Sequence, residues 1–362
     1  MLKAYKYRIY PNKEQRTFFS KTFGCVRFVY NKMLADRINS YYESQTSIDK
    51  SIKYPTPAQY KKEFPFLKEV DSLALANAQM NLNKAYAHFF RDKSIGFPKF
   101  KNKKENRCSY TTNNQKGTVS IENGYMKLPK LRTTVRIKQH RPFLGLIKSV
   151  TISKTTTNKY FASVLVEEKE QLFPELKKRV GIVMGLKGFA TLSNGKKYEI
   201  PKWMKKTENR LAFLQKSLLR KKKGSKNQNK IKSKIARLHE KIVNQHNDFL
   251  QKISNEITNE NQVIVMEDLR MKDIQNNHKL AKSISEVSWA KFREYQTYKA
   301  LWKNRELIIA PKNYLSDQLC SCCGYKNKVV EKTNLYEWDC PMCNTHHDRD
   351  VNASSNLLKL AL

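Results

Sequence analysis

The spacing of apolar and polar residues changes along the chain, and each change marks an expected element. Lys3 to Ile9 reads as a short strand closed by Pro11-Asn12. From about Lys13 to Tyr42 the spacing is helical, with Phe18, Phe19, Phe23 and Val26 among the apolar positions. Glu43 to Pro65 is polar and interrupted by proline, and reads mostly as a connection. A second helix is expected from about Val70 to Phe90, where Leu75, Leu82, Tyr86 and Phe89 form one stripe at spacings of 7, 4 and 3.

From Lys93 to about Glu168 the runs become short and are broken by Gly, Asn and Pro. Thr118 to Ile121 before Asn123-Gly124 predicts a hairpin, and Ser149–Ser153 and Tyr160–Val166 predict further strands. This is a small β-barrel-like module with the two helical segments inserted near its start. After Arg179 the pattern changes again. Val180 to Met184 predicts a buried strand, and Phe189 to Ile200 a hairpin around Asn194-Gly195. Two long helices are expected at about 206–222 and 228–258, then an apolar strand Val263 to Met266 ending at Glu267-Asp268. A helix near 287–303 leads to the strand Leu307 to Ala310, and a short helix is expected from Asn352 to Leu360. No internal repeat is seen.

Charge narrows the partners. The 362 residues contain 70 Lys plus Arg and 32 Asp plus Glu, a formal net charge of +38. An excess of this size repels itself in a compact chain and calls for a polyanion. Nucleic acid fits, because neutralising phosphates releases counterions. At 40% hydrophobic residues the chain can bury a core, which excludes global disorder. No apolar run approaches the roughly 18 residues of a membrane span. Met1 to Tyr7 lacks the apolar region of a signal peptide. The expected location is therefore the cytoplasm, with no membrane partner.

Three motifs carry chemistry. Cys320-x-x-Cys323 and Cys340-x-x-Cys343 have the spacing of a four-cysteine zinc ribbon, in which four thiolates hold a structural Zn²⁺ and leave no open position. Cys322 offers a third thiol in the first knuckle and leaves open a change of ligand there. The second motif is acidic: Glu267 at a strand end and Asp348-Arg349-Asp350 before a helix. The third is basic: Lys99, Lys101, Lys103 and Lys104 in one run, and Arg220, Lys221, Lys222 and Lys223 in another. With 18 Tyr and 17 Phe for base stacking, these runs point to nucleic-acid backbone contacts.

At these motifs the chain resembles the TnpB family, the compact RNA-guided nucleases of bacterial insertion sequences and relatives of type V CRISPR effectors. The resemblance runs through Tyr5–Gln15, Phe23–Asn31, Gly96–Lys101 and Ser109–Asn113. Gly185–Thr191, Val265–Leu269 and His347–Ala353 resemble the three RuvC motifs. It implies a multidomain α/β fold: a wedge β-barrel domain (1–10 and 93–172), a helical recognition insertion (11–92), an RNase H-like RuvC domain (173–314 and 345–362) and an inserted zinc ribbon (315–344). It also implies a guide RNA and a double-stranded DNA target with an adjacent motif, bound by a monomer on one guide RNA. By position, Ser72, Thr111, Thr112 and Asn113 would contact that motif.

One position departs from the pattern. The family's first RuvC motif reads Gly-Ile-Asp-Leu-Gly, and here Gly181-Ile182-Val183-Met184-Gly185 puts valine at the metal-bridging acid. Arg179 to Leu192 contains no Asp or Glu. Valine offers no ligand atom, so Mg²⁺ is expected to bind weakly or not at all and two-metal cleavage to fail. Glu267 and Asp350 would then be vestigial. Two adjacent residues are changed, Val183 and Met184, whereas an engineered dead mutant usually carries a single Ala. On this reading the protein is not an enzyme. It resembles the nuclease-dead TnpB-like repressors called TldR, which form an R-loop without cleavage and occlude a promoter. The alternatives are an active RNA-guided endonuclease with a compensated RuvC site, and a transposon accessory protein that binds DNA without RNA.

Overall fold

A computed structural model describes residues 1–44, 54–103, 108–185, 188–268, 281–311, 314–327 and 335–361. The chain is mixed α/β and divides into two units, Met1–Lys169 and Glu170–Leu362.

The first unit is built on an antiparallel sheet of seven strands: β1 (Leu2–Tyr10), β2 (Cys108–Asn113), β3 (Ser120–Glu122), β4 (Tyr125–Lys127), β5 (Val135–Lys138), β6 (Leu146–Lys154) and β7 (Tyr160–Glu167). Their order is β2-β6-β7-β1-β5-β4-β3, so the sheet is open: the edge strands β2 and β3 do not pair with each other. Alternation along β1 turns Tyr5, Tyr7 and Ile9 inward. Lys3 points the same way, and its ammonium is met by the Glu168 carboxylate at 3.1 Å. That pairing removes the cost of an uncompensated buried charge.

Helices α1 (Lys13–Ser44) and α3 (Ser72–Arg91) share one apolar core with this sheet. Phe19, Phe23, Val29 and Leu34 of α1 and Leu75, Ala78 and Leu82 of α3 are buried in it together with Tyr110. The stretch expected to be mostly connection contains a helix, α2 (Pro57–Glu63), and a 3₁₀ turn at Pro65–Glu69. Both prolines sit in the first turn, where a missing N–H costs nothing. Gln59 accepts a hydrogen bond from the Thr56 N–H at 2.6 Å and caps the start. Part of that stretch, 45–53, lies outside the described residues.

The second unit carries a five-stranded sheet in the order β10-β9-β8-β11-β12. β8 (Arg179–Met184), β9 (Gly188–Leu192) and β10 (Lys197–Glu199) form an antiparallel meander. β11 (Val263–Met266) and β12 (Glu306–Ile309) run parallel to β8. Long helices supply the crossovers: α4 (Lys202–Leu219) packs on α5 (Lys226–Glu260), and α6 (Ala281–Trp302) packs beside α5. One face of the sheet, with Val180, Ile182 and Ile264, is buried against Leu250, Ile253 and Ile257 of α5 and Phe292 of α6. The other face, with Val183, Val263 and Val265, packs against Ala353 and Leu357 of the short helix α7 (Arg349–Leu358). A last hairpin, β13 (Glu337–Asp339) with β14 (His346–Asp348), leads into α7. Among the described residues no helix is long and apolar enough to cross a membrane.

Helix α7 approaches β8 at Gly181, where a Cβ would stand 2.0 Å from the Ser354 carbonyl oxygen. Backbone cannot yield that distance without moving the helix. Gly181→Ala is therefore expected to cost about 1–3 kcal/mol, the usual range for overpacking. Thermal denaturation checks this, and an unchanged midpoint would contradict the contact.

Candidate metal and nucleic-acid sites

The acidic site grows out of strand alternation. Val263 and Val265 of β11 face α7, so Glu267, two residues on, continues the same face just past the strand end. The parallel register sets Val265 beside Gly181 and Met266 beside Ile182. Asp350 arrives at this edge in the first turn of α7, and a Cβ on Gly185 would lie 3.8 Å from its Oδ2. Asp348 caps that helix, its Oδ1 accepting from the Asp350 N–H (3.1 Å) and the Val351 N–H (3.0 Å). Val183 lies underneath, 8% exposed among Val263, Val265, Ala353 and Leu357, and offers no donor atom.

A third carboxylate comes from a loop. Ser316 donates its hydroxyl to Glu267 Oε1 at 3.2 Å, and Asp317 accepts from Arg349 Nη2 at 2.8 Å. Burial above all pushes the Glu267 carboxyl up to about 7; the charges of Asp317 and Asp350 add to the rise, while the Ser316 hydroxyl and Arg349 oppose it. The charges of Asp317 and Asp350 thus act on Glu267, while Arg349 pairs with Asp317 and Lys197 with Asp348. Oxygen donors with a net negative charge suit a hard divalent cation such as Mg²⁺. Valine at 183 offers no donor, and among the described residues only the four cysteines, as a group of three or more, bring their ligand atoms within 4.8 Å of one another. Asp317 carries little signal in the sequence: it stands in a loop with no period, three residues before Cys320. Asp268 is turned elsewhere and pairs with Arg293 at 2.5 Å.

The cysteines form a second site. The Sγ atoms of Cys320, Cys323, Cys340 and Cys343 all lie within 4.8 Å of one another. Cys320 and Cys343 are 3.6 Å apart, and Cys323 and Cys340 are 3.5 Å apart. A tetrahedral Zn²⁺ with bonds of about 2.3 Å spaces its sulfurs by roughly 3.8 Å, so the four residues fit such an ion. Cys322 is exposed and outside the cluster. Each knuckle turns back through a left-handed residue, Gly324 (φ +78°) and Asn344 (φ +55°), whose N–H groups bond the Cys320 and Cys340 carbonyls. Without an ion the thiols titrate together: hydrogen bonds from the Thr345 hydroxyl and backbone lower Cys343, while Cys320 and Cys323 are raised. His347 Nε2 stands 3.0 Å from Cys320 Sγ, its ring against Trp338.

The basic positions are partly solvent-facing. Lys99 and Lys103 are exposed. Lys101 lays its ammonium over the Tyr30 ring at 3.9 Å, and its backbone is held on both sides by the Asn31 amide. Lys104 lies outside the described residues. Arg220, Lys221, Lys222 and Lys223 are exposed in the turn between α4 and α5. Ser72, Thr112 and Asn113 meet at the start of α3. Ser72 is exposed and receives a hydrogen bond from Lys61 at 2.6 Å, and Asn77 donates to Asn113 at 3.4 Å. Thr111 points across the strand to Thr151 at 2.8 Å. Thr112 departs from its expected DNA-facing role. It is wholly buried and donates to the helix cap Asp71 at 2.5 Å, so its hydroxyl is spent inside the fold.

Comparison with known proteins bears on these sites. A helix-turn-helix domain model of the IS605 OrfB type matches residues 1–46, and a model described as "Probable transposase" matches 163–278. A Cas12f1-like TNB domain model matches 289–357, which includes the cysteine cluster and most of α7. A protein of Streptomyces pristinaespiralis named "Putative RNA-guided DNA endonuclease" is 37% identical over 99% of this chain and 89% of its own length. Escherichia coli K12 InsQ, with the same description, is 30% identical over 99% of this chain and 92% of its length. The protein in a Cas12f1–sgRNA–target DNA complex superposes with a TM-score of 0.63 at 14% identity, covering 96% of this chain and 83% of that one, a likeness of fold. The expectation that the chain is not an enzyme is corrected by these relatives, whose names are those of nucleases. It rested on the valine at position 183.

The raised Glu267 carboxyl fixes a pH dependence. The folded chain holds that proton up to about 7, whereas an unfolded glutamate releases it near its ordinary value, about 4.3. The stability it contributes is full below the unfolded value and is lost as pH rises through about 7. Without added divalent ions, Glu267→Gln should raise the melting midpoint by about 3 °C at pH 8 and by less at pH 5. Equal shifts at both pH values would contradict the burial of this charge.

Proposed function

The chain belongs to the TnpB/IS605 OrfB family, and from that premise we propose that it is an RNA-guided DNA endonuclease. The observation that carries the reading is the placement of Glu267 just past β11 and of Asp350 in the first turn of α7, where a Cβ on Gly185 at the end of β8 would lie 3.8 Å from the Asp350 carboxylate. The sheet order, three antiparallel strands followed by two parallel ones, supports an RNase H-like domain of the RuvC kind. Divalent ions bound at these carboxylates would polarise the phosphodiester and activate water. The protein's own part is to hold the donors. Ser316 orients the Glu267 carboxylate, Arg349 holds Asp317, and the Asp348 cap fixes the helix turn that bears Asp350.

Guide RNA lies along the basic surface that includes Arg220 to Lys223, where each phosphate neutralised releases counterions. A short motif beside the target is read in the duplex near Ser72 and Asn113, and the rest by pairing to the guide. The exchange of DNA duplex for heteroduplex is nearly balanced, so the excess of +38 tips it towards the open R-loop. Zn²⁺ at the four cysteines holds the inserted ribbon and takes no part in cleavage, since all four positions are thiolates.

Purified complex with its native RNA should cut a matched target in Mg²⁺. Glu267→Gln and Asp350→Asn should each lower the cleavage rate by at least about 100-fold while target binding stays within about twofold, as expected where only transition-state interactions are lost. Absence of specific cutting by the unaltered protein would overturn the proposal. Replacing Arg220, Lys221, Lys222 and Lys223 by Ala should weaken RNA binding and flatten its dependence on log salt by about 3. An unchanged slope would remove this turn from the interface.

A further inference from the structure

We propose that the cysteine cluster and the carboxylates form one mechanically coupled unit, with Asn352 and Asn356 as the positioning residues that join them. The proposal rests on the zinc and nuclease readings above. Asn352 and Asn356 are one turn apart on α7 and therefore share a face. Both are almost wholly buried, at 2% and 1% exposure. Asn352 accepts from the Ser321 N–H at 2.7 Å and donates to the Leu319 carbonyl at 2.7 Å. Asn356 donates to the Ser316 carbonyl at 2.9 Å and to the Leu319 carbonyl at 2.6 Å. Every one of these bonds goes to the backbone of a single loop.

That loop ends in the first knuckle, so Cys320 and Cys323 hold one end of it. Its Ser316 bonds Glu267 and its Asp317 bonds Arg349, the neighbour of Asp350. The other knuckle reaches the same helix: His347, 3.0 Å from Cys320 Sγ, immediately precedes the cap Asp348. Closing four thiolates on an ion fixes the loop. The loop, through the two buried amides, fixes the turn that carries Asp350 and the hydroxyl that orients Glu267. Buried, hydrogen-bonded amides transmit position well, because a shift leaves a buried donor without its partner.

Coupling of this kind is reciprocal. In the RNA-free full chain, zinc affinity measured against a competing chelator should rise about tenfold when Mg²⁺ is saturating. Asn356→Ala should keep its full zinc content yet bind Mn²⁺, followed by its paramagnetic signal, about tenfold more weakly than the unaltered chain. In the RNA complex the same variant should need more Mg²⁺ for half-maximal cutting and recover its rate at saturation. Equal zinc affinity with and without Mg²⁺ overturns the coupling, however the variant folds. Mn²⁺ affinity unchanged in a zinc-loaded Asn356→Ala chain also overturns it. An unaltered chain that takes up no zinc, or Mn²⁺ binding indifferent to Glu267→Gln, overturns the site assignments beneath the coupling, and the coupling with them.

Discussion

The seating of α7 against β8 is the constraint on which the second unit depends. A ten-residue helix is too short to persist by its own hydrogen bonds. It is held from outside by three means. Gly181 lets its backbone reach the strand, Ala353 and Leu357 bury its apolar side, and Asp348 satisfies its first N–H groups. Its polar face is buried too, and there only amides that find backbone partners are tolerated, which is what Asn352 and Asn356 do. Asp350 is placed as a consequence, because it stands in the first turn of a helix that has nowhere else to go.

Core and surface handle charge in opposite ways. Inside the first, the buried Lys3 ammonium is matched by Glu168, whose other oxygen accepts from the Tyr5 hydroxyl at 2.6 Å. At the surface, the turn from Arg220 to Lys223 keeps its charges exposed, where they add little to folding and much to the attraction of phosphates. Core and surface can therefore be varied separately. Neutralising the exposed turn removes binding free energy, while neutralising Lys3 strands a buried carboxylate.

Legibility in the sequence follows the same division. Periodic elements were readable because burial imposes their period: the stripe of Leu75 and Leu82, the apolar strands Val180–Met184 and Val263–Met266, and the two long helices before β11. The cysteine cluster was readable because two knuckles sharing one ion need that spacing. Helix α2 was missed because proline in a first turn looks, in the sequence, like proline in a loop. The burial of Thr112 was missed because a hydroxyl on a strand gives no sign of which face it occupies until Asp71 is seen beside it. The pairing of Asp317 with Arg349 was missed because only the fold of a loop brings them together.

Val183 has its own logic in this setting. A carboxylate there would lie among Val263, Val265, Ala353 and Leu357, beneath a cluster whose mutual repulsion helps hold Glu267 at about 7. In the absence of a cation such a group would bear the cost of burying an unpaired charge. Valine removes that cost and adds apolar contact beneath α7, the helix on which Asp350 rides. Asp317 is the better place for a third acid in the metal-free chain, since it keeps partial exposure and has Arg349 at 2.8 Å. Paired with Arg349, Asp317 does not depend on a cation for its tolerance. The position of that acid then depends on the loop, and the loop is held by Asn356 and the cysteines. The geometry of this edge thus rests on the ribbon as well as on the sheet.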